Sequence, residues 1–414
     1  MAEIAAGAVV AEQVVSTTIE GGAVAGYAIA KQTMPLKVTF TRIAVSDLIR
    51  RHSHTVSVVN GKAYIFGGIT DDGSLAGNEF HQLALPPKDK NEQIDYHCIP
   101  ALPATEGCPV PASRAGHSAA VAGKDILIYG GRDKSGDSVE DGSALWSFNT
   151  DALKWTKIAT QGPRDCQFYH GSVIRGNSLL LYGGFSRPAG THDLRALPSL
   201  SSVDITTGVW EAHEDQTLSQ TGTPAGLAFA QDKVFTVGID TKFQAPVHFY
   251  NLRDATSGAR WDTIPAPSNP LVPGPDTSRD GAGVLPISTG YGRNFLLYLF
   301  GQKRSEDGQT AELPPKSKDF FSDAWTFQLP SENVSLAVVK DTARDKLGMD
   351  SGEGSWAEAE VKLHSEEFSH EGKVHPGPRS FFAASNVDDK TVILWGGINP
   401  KQEVEGDGWI IKLE

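Results

Sequence analysis

The chain has 414 residues, with 43 Gly and 24 Pro against 39% hydrophobic residues, a composition that suits many turns around a modest apolar interior. Its 50 acidic and 37 basic residues give a formal charge of −13, which excludes a general nucleic-acid or anionic-membrane surface, since either needs a basic footprint. Cys98, Cys108 and Cys166 are widely spaced without a CxxC pair, as expected of a reducing compartment and not of a disulfide framework.

Residues 1–35 are rich in Ala, Gly and Val, and 3–32 predict a loosely amphipathic helix interrupted near Gly21-Gly22. Packing on the body of the protein, a mobile tail and a membrane-surface helix are the three readings open for it. Glu3, Glu12, Glu20 and Lys31 break the apolar stretch, so it offers no uncharged run of about 18 residues to span a bilayer. No basic region precedes an apolar one, so no signal peptide is expected, and the cytoplasm or nucleus is the default.

Lys37 to Ala44 alternates like a strand, and Phe40-Thr-Arg-Ile-Ala44 matches Trp155-Thr-Lys-Ile-Ala159 position for position. A full unit follows: Thr55–Val59, a turn at Asn60-Gly61, Ala63–Phe66 ending in Gly67-Gly68, then Phe80–Leu85 and Tyr96–Ile99. Asn-Gly between alternating strands is a strong hairpin signal. The second unit opens with Arg114-Ala-Gly-His117 and runs to Gly130-Gly131, then Ala144–Phe148 and Trp155–Ile158. The third carries Tyr169-His170, Gly183-Gly184, Ser202–Ile205 and Trp210. In the fourth, Gly238 is followed by Ile239, and Trp261 opens its last strand. The fifth has Gly301, Asp323–Gln328 and, after a long insertion over 328–376, Trp356. The sixth has Gly396-Gly397 and Gly408–Leu413, and no fourth strand after it.

The glycine anchors at 67, 130, 183, 238, 301 and 396 are 63, 53, 55, 63 and 95 residues apart. Four strands per unit, double glycines, tryptophans opening fourth strands and an Arg-x-Gly-His entry resemble the kelch repeat, whose period is about fifty residues. The resemblance covers residues 36–414 and implies an all-β, six-bladed kelch-type propeller, preceded by the helical segment 1–35. The spare strand near Phe40 would complete the sixth sheet, closing the ring and covering two edges.

The residue before each first strand is Arg51, Arg114, Gln167, Arg279 or Arg379, and symmetry would bring these to one rim of the central channel. Guanidinium can grip carboxylate or phosphate with two bonds. In kelch-type ubiquitin-ligase adaptors arginines at this place hold acidic peptides, so the resemblance implies a comparable face, with Gln167 and Tyr169 adding polar and stacking contacts. The alternative is that these arginines belong to the motif and pair with a neighbouring loop. His54, His117 and His170 recur three residues further on, which suits hydrogen bonds within or between blades better than a metal ring. The insertion predicts a short helix over 335–347 and carries Asp350, Glu353, His364, Glu366, Glu367, His370 and His375. Lacking a regular spacing, it reads as a solvated acidic loop and not as a metal site.

Enzymatic relatives leave no match. No residue pair corresponds to the Tyr–Cys cross-link of the copper-radical galactose oxidases. In the Glu-x-x-x-Asp-x-x-x-His pattern of the plant specifier proteins, Ser219 or Ile411 stands where histidine is required. The sequence therefore predicts a non-enzymatic, monomeric interaction module or scaffold without cofactor or metal, binding a partner protein, with an acidic segment of that partner as one option. A small-molecule metabolic enzyme with its pocket at the channel mouth is the alternative.

Overall fold

The computed structural model describes residues 34–85, 95–141, 144–161, 166–191, 193–213, 226–238, 245–254, 260–264, 274–276, 279–290, 292–304, 317–331, 336–362 and 373–414. The helix predicted over 3–32 lies outside them.

Six antiparallel sheets of at least four strands form a six-bladed β-propeller. From the axis outward, blade one is Thr55–Val59, Lys62–Phe66, Phe80–Ala84 and Tyr96–Ile99; blade two is Ser118–Ala122, Asp125–Tyr129, Leu145–Asn149 and Lys154–Ile158. Blade three is Gly171–Arg175, Ser178–Tyr182, Leu200–Asp204 and Trp210–His213; blade four is Ala228–Ala230, Lys233–Val237, Val247–Asn251 and Trp261–Ile264. Blade five is Gly283–Gly290, Arg293–Leu299, Ala324–Gln328 and Trp356–Glu358. Blade six is Ala383–Asp388, Thr391–Trp395 and Asp407–Leu413, completed by Lys37–Val45 from the other end of the chain. That clasp is antiparallel, with Phe40 opposite Ile411. Each innermost strand touches those of both neighbouring blades, including the sixth against the first, so the ring is closed.

The edges are covered more fully than the repeat alone predicts. After Glu358 the chain crosses to blade six, where Glu360–Val361 adds a parallel strand outside the clasp. The linker into blade two runs along Trp155, whose N–H donates to Leu102 O at 2.8 Å. The linker into blade three likewise bonds Trp210 N–H to Gln161 O at 3.2 Å. Each strip occupies backbone groups that would otherwise present an open edge.

The core consists of the interfaces between blades. Trp155 packs with Phe66 and Phe80 of blade one and Phe148 of blade two. Trp356 packs on Tyr298 and Phe327 and donates its indole N–H to Ala245 O of blade four at 2.8 Å. Aromatic bulk of this kind fills the wedge that opens between sheets away from the axis. The insertion contributes one described helix, Leu336–Lys346, held on blade five by the Arg293–Asp341 ion pair and by Gln328.

Candidate functional site

The arginines before the first strands are latches inside the fold. Arg51 Nη1 donates to Gly67 O (3.2 Å), Arg114 to Gly130 O (2.9 Å), Arg279 to Phe300 O (2.9 Å) and Arg379 to Gly396 O (3.0 Å). Gln167 does the same to Gly183 O at 3.3 Å. The main-chain carbonyls of these residues take the second glycine of the preceding blade: Gly68 N–H to Arg114 O, Gly131 to Gln167, Gly301 to Arg379 and Gly397 to Arg51, all at 2.9–3.0 Å. One residue thus ties its own blade shut and holds the one before it. This also accounts for the first glycine, because a methyl group at Gly67 would lie 2.5 Å from Arg114 O. In blade five Phe300 occupies that place and adopts φ +50° itself.

Carboxylates complete the latches. Arg114 pairs with Asp141 (3.0 Å), Arg279 with both oxygens of Asp323 (2.6 and 2.7 Å) and Arg379 with Asp407 (2.7 Å). Burial opposes the charge of Asp407, but the hydrogen bond and charge of Arg379 prevail and hold its carboxyl below the usual range. In blade one the partner is His81, whose Nε2 lies 2.9 Å from Arg51 Nη2. Burial lowers the Arg51 pKa to about 10 and that of His81 to about 4. The expected rim of cations is therefore corrected: Arg51, Arg114, Gln167, Arg279 and Arg379 are at most 2% exposed. A buried guanidinium needs its charge and donors met from within; here its own blade supplies the counter-charge or carbonyls, while Arg51 Nε, Arg114 Nη2 and Arg379 Nε stay without a hydrogen bond among the described residues.

Two residues past each latch, the backbone forms a collar around the channel mouth. Tyr169 N–H donates to Gly116 O (2.6 Å), Gly116 to Ser53 O (2.8 Å), Ser53 to Phe381 O (2.8 Å) and Phe381 to Gly281 O (2.9 Å). Ser53, Tyr169 and Phe381 carry φ of +53°, +54° and +52°, a conformation that non-glycine residues rarely adopt. Tyr169 and Phe381 belong to opposite blades, yet their rings meet edge to face across the axis, 5.6 Å apart. The Tyr169 hydroxyl lies 3.1 Å from Ser53 Oγ, which also contacts His52 Nδ1 at 3.0 Å. The aromatic pair thereby caps a mouth pocket of about 170 Å³.

Below the cap the histidines act as wedges between blades. His117 Nε2 meets Thr55 Oγ1 of blade one at 2.9 Å, and His170 Nε2 meets Ser118 Oγ of blade two at 2.7 Å. The corresponding position in blade six is Ala383, and neither ring nitrogen of His54 has a hydrogen-bond partner among the described residues. Burial pushes the pKa of His54 and of His117 well below the ordinary value, with nearby Arg51 and Arg114 adding to it. Beneath lies a central cavity of about 560 Å³ lined by the first strands, with Ser, Thr, Asn and His among apolar side chains. Its described lining holds no Asp, Glu, Lys or Arg, and no cluster of three metal-ligating side chains occurs among the described residues.

The insertion helix matches its expectation closely, and His375 packs on Phe40 (4.3 Å between ring centroids) while accepting the Gly377 N–H. His364, Glu366, Glu367 and His370 lie outside the described residues. Sequence reasoning missed Arg132 and Arg187, on the loops that follow the double glycines of blades two and three. Both are half-buried, and the Arg132 guanidinium carbon lies 5.9 Å from the centre of the Tyr169 ring. The available signal was their place directly after, or three residues after, a double glycine.

The profile of the KLHDC2/KLHL20/DRC7 Kelch-repeats domain matches residues 53–278. Host cell factor homolog hcf-1 of Caenorhabditis elegans is 31% identical over 156 residues, 32% of this chain and 18% of that protein. Kelch domain-containing protein 3 of Rattus norvegicus is 33% identical over 135 residues, 32% of each chain, and Rho GTPase-activating protein gacHH of Dictyostelium discoideum is 32% identical over 141 residues, 32% of this chain and 8% of that one. The matched regions span a third or less of these relatives' own length. The solved structure of YjhT superposes with a TM-score of 0.57 at 14% identity, covering 88% of this chain and 98% of that one, a likeness of fold alone. No described helix is long and apolar enough to cross a membrane.

Proposed function

The chain belongs to the kelch-repeat family, and we propose that it is an interaction module whose partner protein docks on the channel mouth, over Tyr169, Phe381 and Ser53. The observation that carries this reading is the collar. Three non-glycine residues in left-handed backbone, each costing about 1 kcal/mol or more, sit on one ring at one end of the molecule. Such strain persists where the surroundings over-determine it, and it clusters where function needs a fixed surface. Here it fixes the half-buried Tyr169 ring and its hydroxyl against the buried Phe381 and Ser53, so Tyr169 is the part of the collar a partner reaches, an aromatic anchor of the kind that dominates protein interfaces. Arg132 supplies the adjoining charge in place of the latch arginines, so an acidic segment of the partner remains the matching chemistry.

The enzymatic alternative asks for a pocket with a coupled acid–base pair or a metal. The described cavity offers hydroxyls, an amide and three histidines, of which His54 and His117 are held neutral by burial, which supports the binding reading. In this proposal residues 36–414 act as one propeller domain, 328–376 as an insertion and 1–35 as an appended segment, working as a monomer in the cytoplasm or nucleus.

Affinity capture from the native cell with wild type, Tyr169→Asn and Arg132→Ala tests it. Asparagine tolerates left-handed backbone, so Tyr169→Asn removes the ring while sparing the collar. Stoichiometric partners that weaken with both variants are expected. Partners retained in full by both variants would overturn the reading.

A further inference from the structure

Two cations converge beside the mouth, and among the described residues neither forms an ion pair with a carboxylate. A methyl group placed on Gly136 would lie 3.2 Å from Arg187 Nη1 and 3.6 Å from Arg132 Nη1, so the two guanidiniums meet above this glycine. They come from neighbouring blades, on loops fastened to each other: Ser138 N–H donates to Arg187 O at 2.9 Å, Arg187 N–H to Ser138 Oγ at 3.0 Å and Gly190 N–H to Asp137 Oδ2 at 3.1 Å. Among the described residues neither guanidinium has an ion-pair partner, and the Nε of each is buried without a hydrogen bond. Among the described residues the hydrogen bond of the Arg187 head is a long one, Nη1 to Gly136 O at 3.5 Å. Asp133 and Asp137 share the turn, but Asp133 Oδ1 accepts Ser135 N–H and Asp137 N–H at 2.8 and 3.1 Å, and Asp137 is tied to Gly190.

The latches show what one guanidinium does with one carboxylate in this molecule: Arg279 reaches both oxygens of Asp323, one of which also accepts the Trp325 indole N–H. Two guanidiniums held over one point exceed what a single carboxylate needs. They match a group with three acceptor oxygens and close to two negative charges. We propose that Arg132 and Arg187 form a subsite for a phosphomonoester dianion, presented by a phosphorylated side chain of the partner protein as it docks on Tyr169. This rests on the mouth being the docking face, because Arg132 lies beside the Tyr169 ring.

Two measurements on the full chain test it. In the first, N-acetyl-phosphoserine amide, N-acetyl-glutamate amide and inorganic phosphate are titrated while the arginine Nε–H resonances are followed by NMR. The phosphoserine probe should shift the Arg132 and Arg187 signals and bind at least about tenfold tighter than the glutamate probe. Arg132→Ala and Arg187→Ala should each weaken it by about tenfold or more, the loss of one charge-assisted contact, with an unchanged melting temperature. In the second, the native-cell capture is repeated with phosphatase-treated extract and with the Arg132→Ala/Arg187→Ala double variant, and both should lose the partner. A partner lost by Tyr169→Asn but indifferent to phosphatase and to the double variant leaves the docking face standing and overturns the phosphate subsite. Equal affinity for the phosphoserine and glutamate probes overturns it as well, whether or not a partner is captured. Tighter binding of inorganic phosphate than of the phosphoserine probe, with capture indifferent to phosphatase, assigns the cations to free phosphate and overturns the partner as source.

Discussion

Replacing Ala383 by serine should make this propeller more stable. In two blades the wedge histidine reaches a hydroxyl of the preceding blade, at 2.9 Å for His117 and Thr55 and 2.7 Å for His170 and Ser118. At the junction of blades six and one the hydroxyl position is Ala383, and His54 keeps two buried nitrogens without a hydrogen-bond partner among the described residues. An unmade hydrogen bond to a buried polar group costs about 1–3 kcal/mol, and a formed one contributes about 0.5–1.5 kcal/mol net. Ala383 is buried but lines the central cavity, and the equivalent serine of blade two, Ser118, reaches its histidine from the same place. The expected gain is about 1 kcal/mol, read as a higher urea midpoint with an unchanged slope. The same substitution in a His54→Phe background should give no gain, and that double-mutant cycle isolates the coupling. An equal effect in both backgrounds, or a loss in the wild type, refutes the reasoning. The converse substitution, Thr55→Val, keeps the shape, leaves His117 without its partner and should cost about 1–3 kcal/mol.

Three further outcomes follow from the same geometry. Arg379→Met leaves Asp407 buried without its cation and should cost about 3–5 kcal/mol in chemical denaturation. Phe40→Ala removes the clasp side chain that packs on Phe300 and His375 and should cost about 3–5 kcal/mol, detected as a lower melting temperature. His52, His81 and His375 have folded pKa values lowered by burial to about 4 from 6.5, so between these values the unfolded chain binds more protons. Their stabilising contribution is complete above about pH 6.5 and falls as pH drops towards 4, at up to about 1.4 kcal/mol per pH unit for each histidine. A denaturation midpoint that stays flat from pH 7 to pH 4.5 would contradict this.

The ring was legible because its signals are local and repeated: hairpin turns, strand alternation and paired glycines need only neighbouring residues. The clasp was legible from one mismatch, a fourth strand at the start and a missing one at the end. The arginines were misassigned because position in the repeat places Cα atoms near the mouth and is silent on where the side chain turns. The acceptors that draw it inward are backbone carbonyls at the ends of second strands, which no side chain announces. A signal did exist in Asp323 and Asp407, each two residues before a third-strand tryptophan, as the matching charge. For Arg132 and Arg187 the sequence shows only their place after a double glycine; their convergence depends on two loops of unlike sequence being bonded to each other across a blade boundary.

The central claim is that the partner occupies the mouth and not the outer strands or the insertion. Amide hydrogen exchange of the full chain, alone and with the captured partner, tests it most directly. Protection confined to 52–54, 115–117, 132–138, 168–170, 185–190 and 380–382 is the predicted result. Protection at the outer strands or along Leu336–Lys346, with the mouth unchanged, would contradict it.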